Sequence, residues 1–202
     1  MITKGRGLLI VISGPSGAGK GTICKRFMEK NKDVMLSVSA TTRSPRAGEV
    51  EGINYFFMSK EQFVEKIESN DFLEYAEVYD NYYGTPKSNV EEMLQSGKDV
   101  ILEIDIQGAL KVKENTREGV FVFILPPSME ELKQRIINRG SETNESLMKR
   151  FKSAYKEINF ISKYNYAVVN DKVEIAVEKL EAIISAEKCR VDRIKDSILD
   201  SK

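Results

Sequence analysis

An apolar run, Leu8-Leu9-Ile10-Val11-Ile12, passes almost directly into Gly14-Pro15-Ser16-Gly17-Ala18-Gly19-Lys20-Gly21-Thr22, and a helix-compatible segment continues to Lys32. Few arrangements satisfy that succession. A strand of consecutive apolar residues needs cover on both faces, which points to a parallel sheet flanked by helices. In the turn, glycines let successive backbone N–H groups converge on an anion. The helix start adds the positive end of its dipole, and Lys20 supplies a cation for outer phosphate oxygens. A plain strand-to-helix turn is the bland alternative, and the flanking strand and helix argue against it. One position departs from the usual pattern. Where such loops place the Ser or Thr that touches Mg²⁺, this chain has Gly21, with Thr22 one place later. Either Thr22 takes the metal side, or the ion is held through water and other groups.

The rest of the chain extends the pattern. Strand-type runs at Val34–Val38, Val100–Ile104, Val120–Leu125 and Tyr166–Val169 alternate with helical patterns at Thr22–Lys32, Ile106–Glu114, Met129–Arg139, Asn144–Ile161 and Val173–Ala186. The expected class is α/β, a P-loop parallel sheet core with flanking helices. From Ser39 to Tyr83 the alternation breaks into short aromatic strands, Tyr55-Phe56-Phe57-Met58 and Phe72-Leu73-Glu74-Tyr75, around a helical segment at Lys60–Ser69. This reads as a small mixed α/β insertion over the carboxyl ends of the strands, where a second substrate would bind. The expected organisation is one domain over 1–202. Its core is about 1–38 and 86–202, its insertion about 39–85, and a helical lid spans about 135–150.

Charge and composition close off several function classes. Lys+Arg and Asp+Glu are both 31, so no general basic field invites a nucleic acid polymer or a membrane surface, and anion recognition has to be local. Histidine is absent, which excludes a Ser-His-Asp triad, a His-ligated zinc and a His general base. Only Cys24 and Cys189 occur, far apart and without metal-type spacing, as suits a reducing compartment. The first apolar run stops after five residues and enters the glycine loop, unlike a signal peptide. No stretch approaches membrane-spanning length. The expected location is the cytoplasm.

Beyond the loop, Ser37-Val38-Ser39-Ala40-Thr41-Thr42-Arg43-Ser44-Pro45-Arg46-Ala47-Gly48-Glu49 carries Arg43 and Arg46 three apart. Two forked guanidinium groups suit one phosphate better than lysines would, and Tyr55 and Tyr83 can add neutral hydroxyl donors. With the phosphate loop before it and further motifs in order after it, this segment resembles the guanylate kinases. The resemblance covers roughly Leu8 to Ala186. It implies transfer of the γ-phosphoryl group of ATP to GMP, with Mg²⁺ as cofactor and dGMP as a further acceptor; a homo-oligomer stays open.

The resemblance also assigns residues. Arg43, Arg46, Tyr55 and Tyr83 match positions at the GMP phosphate. Glu74 falls on the guanine donor edge, with Ser39 and Thr85 as hydroxyl partners. The chemistry agrees, because guanine N1–H and N2–H₂ are paired donors that match a carboxylate, whereas adenine would set its N1 lone pair against one. Gly14 to Thr22 and Asn170 fall on the ATP side. Val100-Ile101-Leu102-Glu103-Ile104-Asp105 is an apolar strand ending in acids, the place for a metal-side group. The family commonly has Asp where this chain has Glu103, one methylene longer. The metal candidates are therefore Glu103 and Thr22, directly or through water, and Asp105 lies at the guanine amino edge or in the metal's water shell. Arg135 and Arg139, four apart on one helix face, join Arg150, Lys20 and Arg43 as the catalytic cations. Two rivals remain: a kinase-like binding module without catalysis, and a kinase for another base, since the Gly21-Thr22 ending also resembles adenylate kinases.

Overall fold

The computed structural model describes residues 5–78, 80–116, 118–138 and 144–194, without the side chains of residues 138, 144–147, 149 and 150. The chain opens with β1 (Leu9–Ser13), α1 (Lys20–Lys30), β2 (Val34–Leu36), β3 (Ala40–Thr41) and β4 (Phe56–Phe57). It continues through α2 (Lys60–Glu68), β5 (Phe72–Val78), β6 (Asn81–Pro86), α3 (Lys87–Gln95) and β7 (Asp99–Glu103). The second half comprises α4 (Ile106–Asn115), β8 (Val120–Leu125), α5 (Met129–Asn138) and α6 (Asn144–Ile158). A 3₁₀ turn at Asn159–Lys163, β9 (Tyr166–Val169) and α7 (Val173–Lys188) complete it.

Five strands form one parallel sheet in the order β2-β7-β1-β8-β9, with β1 at its centre. All five residues of β1 are buried, and their alternation feeds both faces. Ile10 and Ile12 join Ile23 and Phe27 of α1 and Val177, Leu180 and Ile184 of α7 on one side. Leu9 and Val11 join Val90 and Leu94 of α3 and Val112 of α4 on the other. Each such buried side chain contributes about 1.5–3 kcal/mol relative to exposure. The loop following β1 is thereby fixed at its base. Asp99 ties the amino end of the sheet: one oxygen accepts from Leu8 N at 2.9 Å and the other meets Lys188 Nζ at 2.6 Å.

Four short strands make the second sheet, in the order β4-β3-β6-β5. Here β3 pairs antiparallel with β6 and parallel with β4, and β5 pairs antiparallel with β6. Asp80, at φ 62°, takes the left-handed turn position. This sheet has its own aromatic core. Phe63 of α2 stacks on Phe72 at 4.3 Å and on Tyr82 at 5.3 Å between ring centroids. A reciprocal capping box between Ser59 and Gln62 starts α2, as the sequence Ser59-Lys60-Glu61-Gln62 requires.

The element readings differ from the structure in three instructive places. α1 begins at Lys20, not Thr22, so Lys20 and Gly21 belong to its first turn. Strand β2 ends at Leu36, although Ser37 N still donates to Ile101 O at 2.9 Å. The reading of the sequence had no helix at Lys87–Gln95, yet α3 follows β6 without a loop, and Val90 and Leu94, four apart, face the core. Among the described residues, no helix is long and apolar enough to cross a membrane.

Candidate active site

The phosphate loop hangs between β1 and α1 over the centre of the parallel sheet. Gly14 and Gly19 adopt φ 145° and 91°. A Cβ at Gly14 would lie 2.3 Å from Ile124 O, and one at Gly19 would lie 2.3 Å from Asn170 Nδ2. The loop therefore passes closer to its supports than any side chain allows. Asn170, almost wholly buried, donates through Nδ2 to Ala18 O at 2.8 Å and is itself held by its own N–H to Leu125 O at 2.8 Å. Lys20 Nζ folds over the loop, donating to Gly14 O at 2.6 Å. Burial pushes the Lys20 ammonium below its ordinary value, against the opposing pull of Glu103, Glu157 and Asp105. An ammonium held this way gains from a phosphate arriving beside it.

Beside the loop lies an open cleft of about 210 Å³ lined by Gly14, Ser16, Gly17, Gly19, Lys20, Gly21, Glu103, Asp105, Ile106 and Glu157. Gly21 and Glu103 approach closely: a Cβ on Gly21 would meet Glu103 Oε1 at 3.2 Å and Oε2 at 3.5 Å. Burial raises the Glu103 carboxyl, and Lys20 pulls it back down. A carboxylate so placed is stabilised by a further cation. Among the described residues no group of three or more His, Cys, Asp or Glu could hold a metal ion. The described residues thus offer few ligands, which fits an ion that takes most of its shell from water and nucleotide phosphates. Thr22, on the exposed side of α1, does not line this cleft. Asp105 caps α4, its Oδ1 accepting from Gly108 N at 2.7 Å.

The candidate for a second anion site belongs to the insertion. Arg43 Nη2 contacts both carboxylate oxygens of Glu49, at 2.9 and 3.0 Å. Its guanidinium lies 5.5 Å from the Tyr55 ring centroid, and Tyr55 meets Tyr83 edge-on at 6.1 Å. Hydrogen bonds with Glu49 and then Tyr83 hold Arg43 more firmly protonated than usual. Arg46 is exposed, its backbone N–H donating to Glu49 Oε2 at 2.7 Å. Glu49 organises both arginines, a role the sequence reading did not assign to it; a carboxylate three residues after Arg46 was the available signal.

At the other end of the small sheet, Glu74 and Thr85 are cross-strand partners, and the buried Thr85 hydroxyl donates to Glu74 Oε1 at 2.7 Å. Burial raises the Glu74 carboxyl above the ordinary range, although the Thr85 hydroxyl opposes it. Glu74 Oε2 leans over Gly108, where a Cβ would come within 3.2 Å. The missing side chain admits the carboxylate to the start of α4, beside Asp105. Ser39, partly buried, leads into β3 with its carbonyl accepting from Phe56 N at 2.9 Å. The insertion is fastened to the core at this point. Lys111 Nζ donates to Tyr75 O at 2.6 Å and Asn115 Nδ2 to Leu73 O at 3.0 Å.

Of the second arginine set, Arg135 is described fully. Its Nη2 donates to Asn170 O at 3.1 Å, and Glu131 pairs with it at 3.2 Å. It braces the same turn that supports the phosphate loop. Arg139 lies outside the described residues, as does the side chain of Arg150, whose backbone belongs to α6. Of the expected lid at 135–150, residues 139–143 lie outside the described residues, as do the side chains of 138, 144–147, 149 and 150. Glu157, which lines the cleft and accepts from Ser153 Oγ at 2.8 Å, was not anticipated.

A glycine-rich loop of the phosphate-binding type occurs together with a sheet that carries paired arginines and a partly buried carboxylate, an arrangement suited to bringing two substrates together. The class is the P-loop phosphotransferases acting on nucleotides. Comparison with known proteins narrows it. The guanylate kinase family model matches residues 6–187. The chain is 75% identical over 197 residues to the guanylate kinase of Clostridium tetani, covering 98% of this chain and 94% of the relative. It is 74% identical to that of Clostridium perfringens, covering 98% and 91%. The crystal structure of guanylate kinase from Anaplasma phagocytophilum superposes with a TM-score of 0.75 at 33% identity, covering 98% of this chain and 96% of that one. The chain belongs to the guanylate kinase family, nucleoside monophosphate kinases that transfer phosphate from ATP to GMP.

Proposed function

We propose that the phosphate loop and the insertion divide the reaction between them, ATP on the first and GMP on the second. The observation that carries this is the Glu74–Thr85 pair at 2.7 Å. It fixes a carboxylate with one oxygen engaged and its other lone pairs open, the complement of guanine N1–H and N2–H₂. Ser39 completes the base site through its hydroxyl. Arg43, Arg46, Tyr55 and Tyr83 take the GMP phosphate, whose oxygen is already anionic and needs no general base. That accounts for a phosphotransferase without histidine.

Gly14 to Thr22 hold the ATP phosphates, with Asn170 as the brace beneath them, and Lys20 leaves the loop carbonyls for the β- and γ-oxygens. Mg²⁺ would be the divalent ion, with Glu103 as the group that would hold it on the chain's side, and it would supply charge neutralisation for the phosphates. Arg135 adds charge near the loop; for Arg139 and Arg150 the assignment rests on the resemblance alone. The cytoplasm is the expected setting. dGMP, which keeps the guanine edge and the phosphate, is accepted as well.

The test is Glu74→Ala in two-substrate kinetics. The GMP KM rises by about 100-fold or more, as expected where a site's polar complement to its substrate is removed, while ATP binding measured without GMP stays within about twofold. An unchanged GMP KM and kcat would overturn the base assignment.

A further inference from the structure

Two departures from the usual phosphate-loop pattern, a glycine after the lysine and a glutamate at the end of β7, meet each other in space. The Gly21 Cα faces the Glu103 carboxylate so closely that a Cβ would stand 3.2 Å from Oε1, 3.5 Å from Oε2 and 3.8 Å from Cδ. We propose that these two positions form one exchangeable unit. Glu103 takes over the work of the missing loop hydroxyl, as the chain's anchor for the divalent ion, and position 21 is glycine because that carboxylate fills the space. The proposal rests on reading the cleft as the site of ATP with its metal.

The geometry supports the exchange in both directions. A serine at 21 would extend past Cβ by one more bond, and in the rotamer that faces Glu103 its hydroxyl would meet Oε1. There it would compete with a cation for that oxygen and crowd the carboxylate. Shortening Glu103 to aspartate withdraws the carboxylate by about one C–C bond, roughly 1.5 Å, which opens the gap that a serine hydroxyl would fill. Among the described acids that line the cleft, none is as free to serve. Asp105 is committed through Oδ1 to the α4 cap, and Glu157 accepts from Ser153. Lys20, which shares the cleft, cannot bind a cation. Thr22 is exposed and is not among the residues that line the cleft.

The experiment is calorimetric titration of ATP into the protein without GMP, once with Mg²⁺ and once with EDTA, for the wild type and four variants. The readout is the ratio of the two affinities. Glu103→Gln keeps the shape and removes the charge. It should lower the Mg²⁺-dependent ratio by about tenfold or more, and metal-free ATP should bind more tightly because a like charge leaves the phosphates. Glu103→Asp and Gly21→Ser should each lower the ratio on their own. The double variant Gly21→Ser/Glu103→Asp should return it to within about threefold of wild type, on the logic of a coupling cycle. A double variant that loses the product of the two single losses would overturn the exchange. A ratio unchanged in Glu103→Gln would overturn the anchor. Thermal melting of every variant separates a misfolded loop from a lost metal contact. A wild type whose ATP affinity ignores Mg²⁺ would instead overturn the reading of the cleft on which the proposal stands.

Discussion

Replacing Gly19 by alanine puts the phosphate loop's support to the test, and the structure sets the size of the effect. Gly19 holds φ 91° and ψ 23° at the amino end of α1, a left-handed position that costs an L-residue about 1–2 kcal/mol. The new Cβ would stand 2.3 Å from Asn170 Nδ2, so Asn170 must move. It has nowhere to go without giving up its 2.8 Å bond to Ala18 O, and an unpaired buried polar group adds about 1–3 kcal/mol. The sum is about 2–5 kcal/mol. At about 2–4 °C per kcal/mol for a chain of this size, melting falls by about 4–20 °C. Scanning calorimetry measures that fall, and titration with ATP should show affinity lost while GMP affinity holds, since the residues proposed for GMP lie on and around the second sheet. Asn170→Ala relieves the overlap, so the double variant should lose less than the sum of the singles. A Gly19→Ala protein that melts within 2 °C of wild type, or losses that simply add, would refute the brace.

The remaining predictions concern titration and reactivity. Glu74 sits above the ordinary carboxyl range because of burial. A raised carboxyl lends stability that is full below its unfolded value and is lost as pH rises through the folded value. Glu74→Gln should therefore melt above wild type at pH 7, with the gap closing as the pH falls towards 4, while GMP turnover drops; a pH series of melting curves that shows no closing gap contradicts the burial argument. Burial beneath the loop likewise pushes the Cys24 thiol far up, whereas Cys189 is exposed. A thiol reagent should modify Cys189 promptly and Cys24 only after denaturation, and early modification at Cys24 by peptide mapping would show that the core under the loop opens.

How much of this was legible in the sequence depended on how local the cause was. The strand, glycine turn and helix around Lys20 follow from adjacent residues, and so did four of the five core strands to within a residue or so at either end. The aromatic insertion was recognisable from composition, but its pairing was not, since β3 and β4 are two residues each and are fixed only by distant partners. Helix α3 was missed because it follows β6 with no turn signal, only Pro86 at its cap. Within the site, Glu74 and Thr85 were named from the resemblance, but their 2.7 Å contact depends on a hairpin register that the sequence does not print. Asn170 supports the loop from 152 residues away, and Glu49 binds Arg43 in place of solvent. Such long-range pairings leave no periodicity to read. Asp105 shows the opposite case: an acid at a strand end suggested chemistry, and a helix start gives it a structural task as well.

The most direct measurement is ADP release from ATP and Mg²⁺ with GMP, AMP, CMP and UMP offered in turn as acceptors. Turnover with GMP and little with the other three is the result expected of a Glu74–Thr85 base site joined to the phosphate loop. Turnover of AMP or UMP at the GMP rate would leave the phosphate chemistry standing and contradict the account of how the base is chosen.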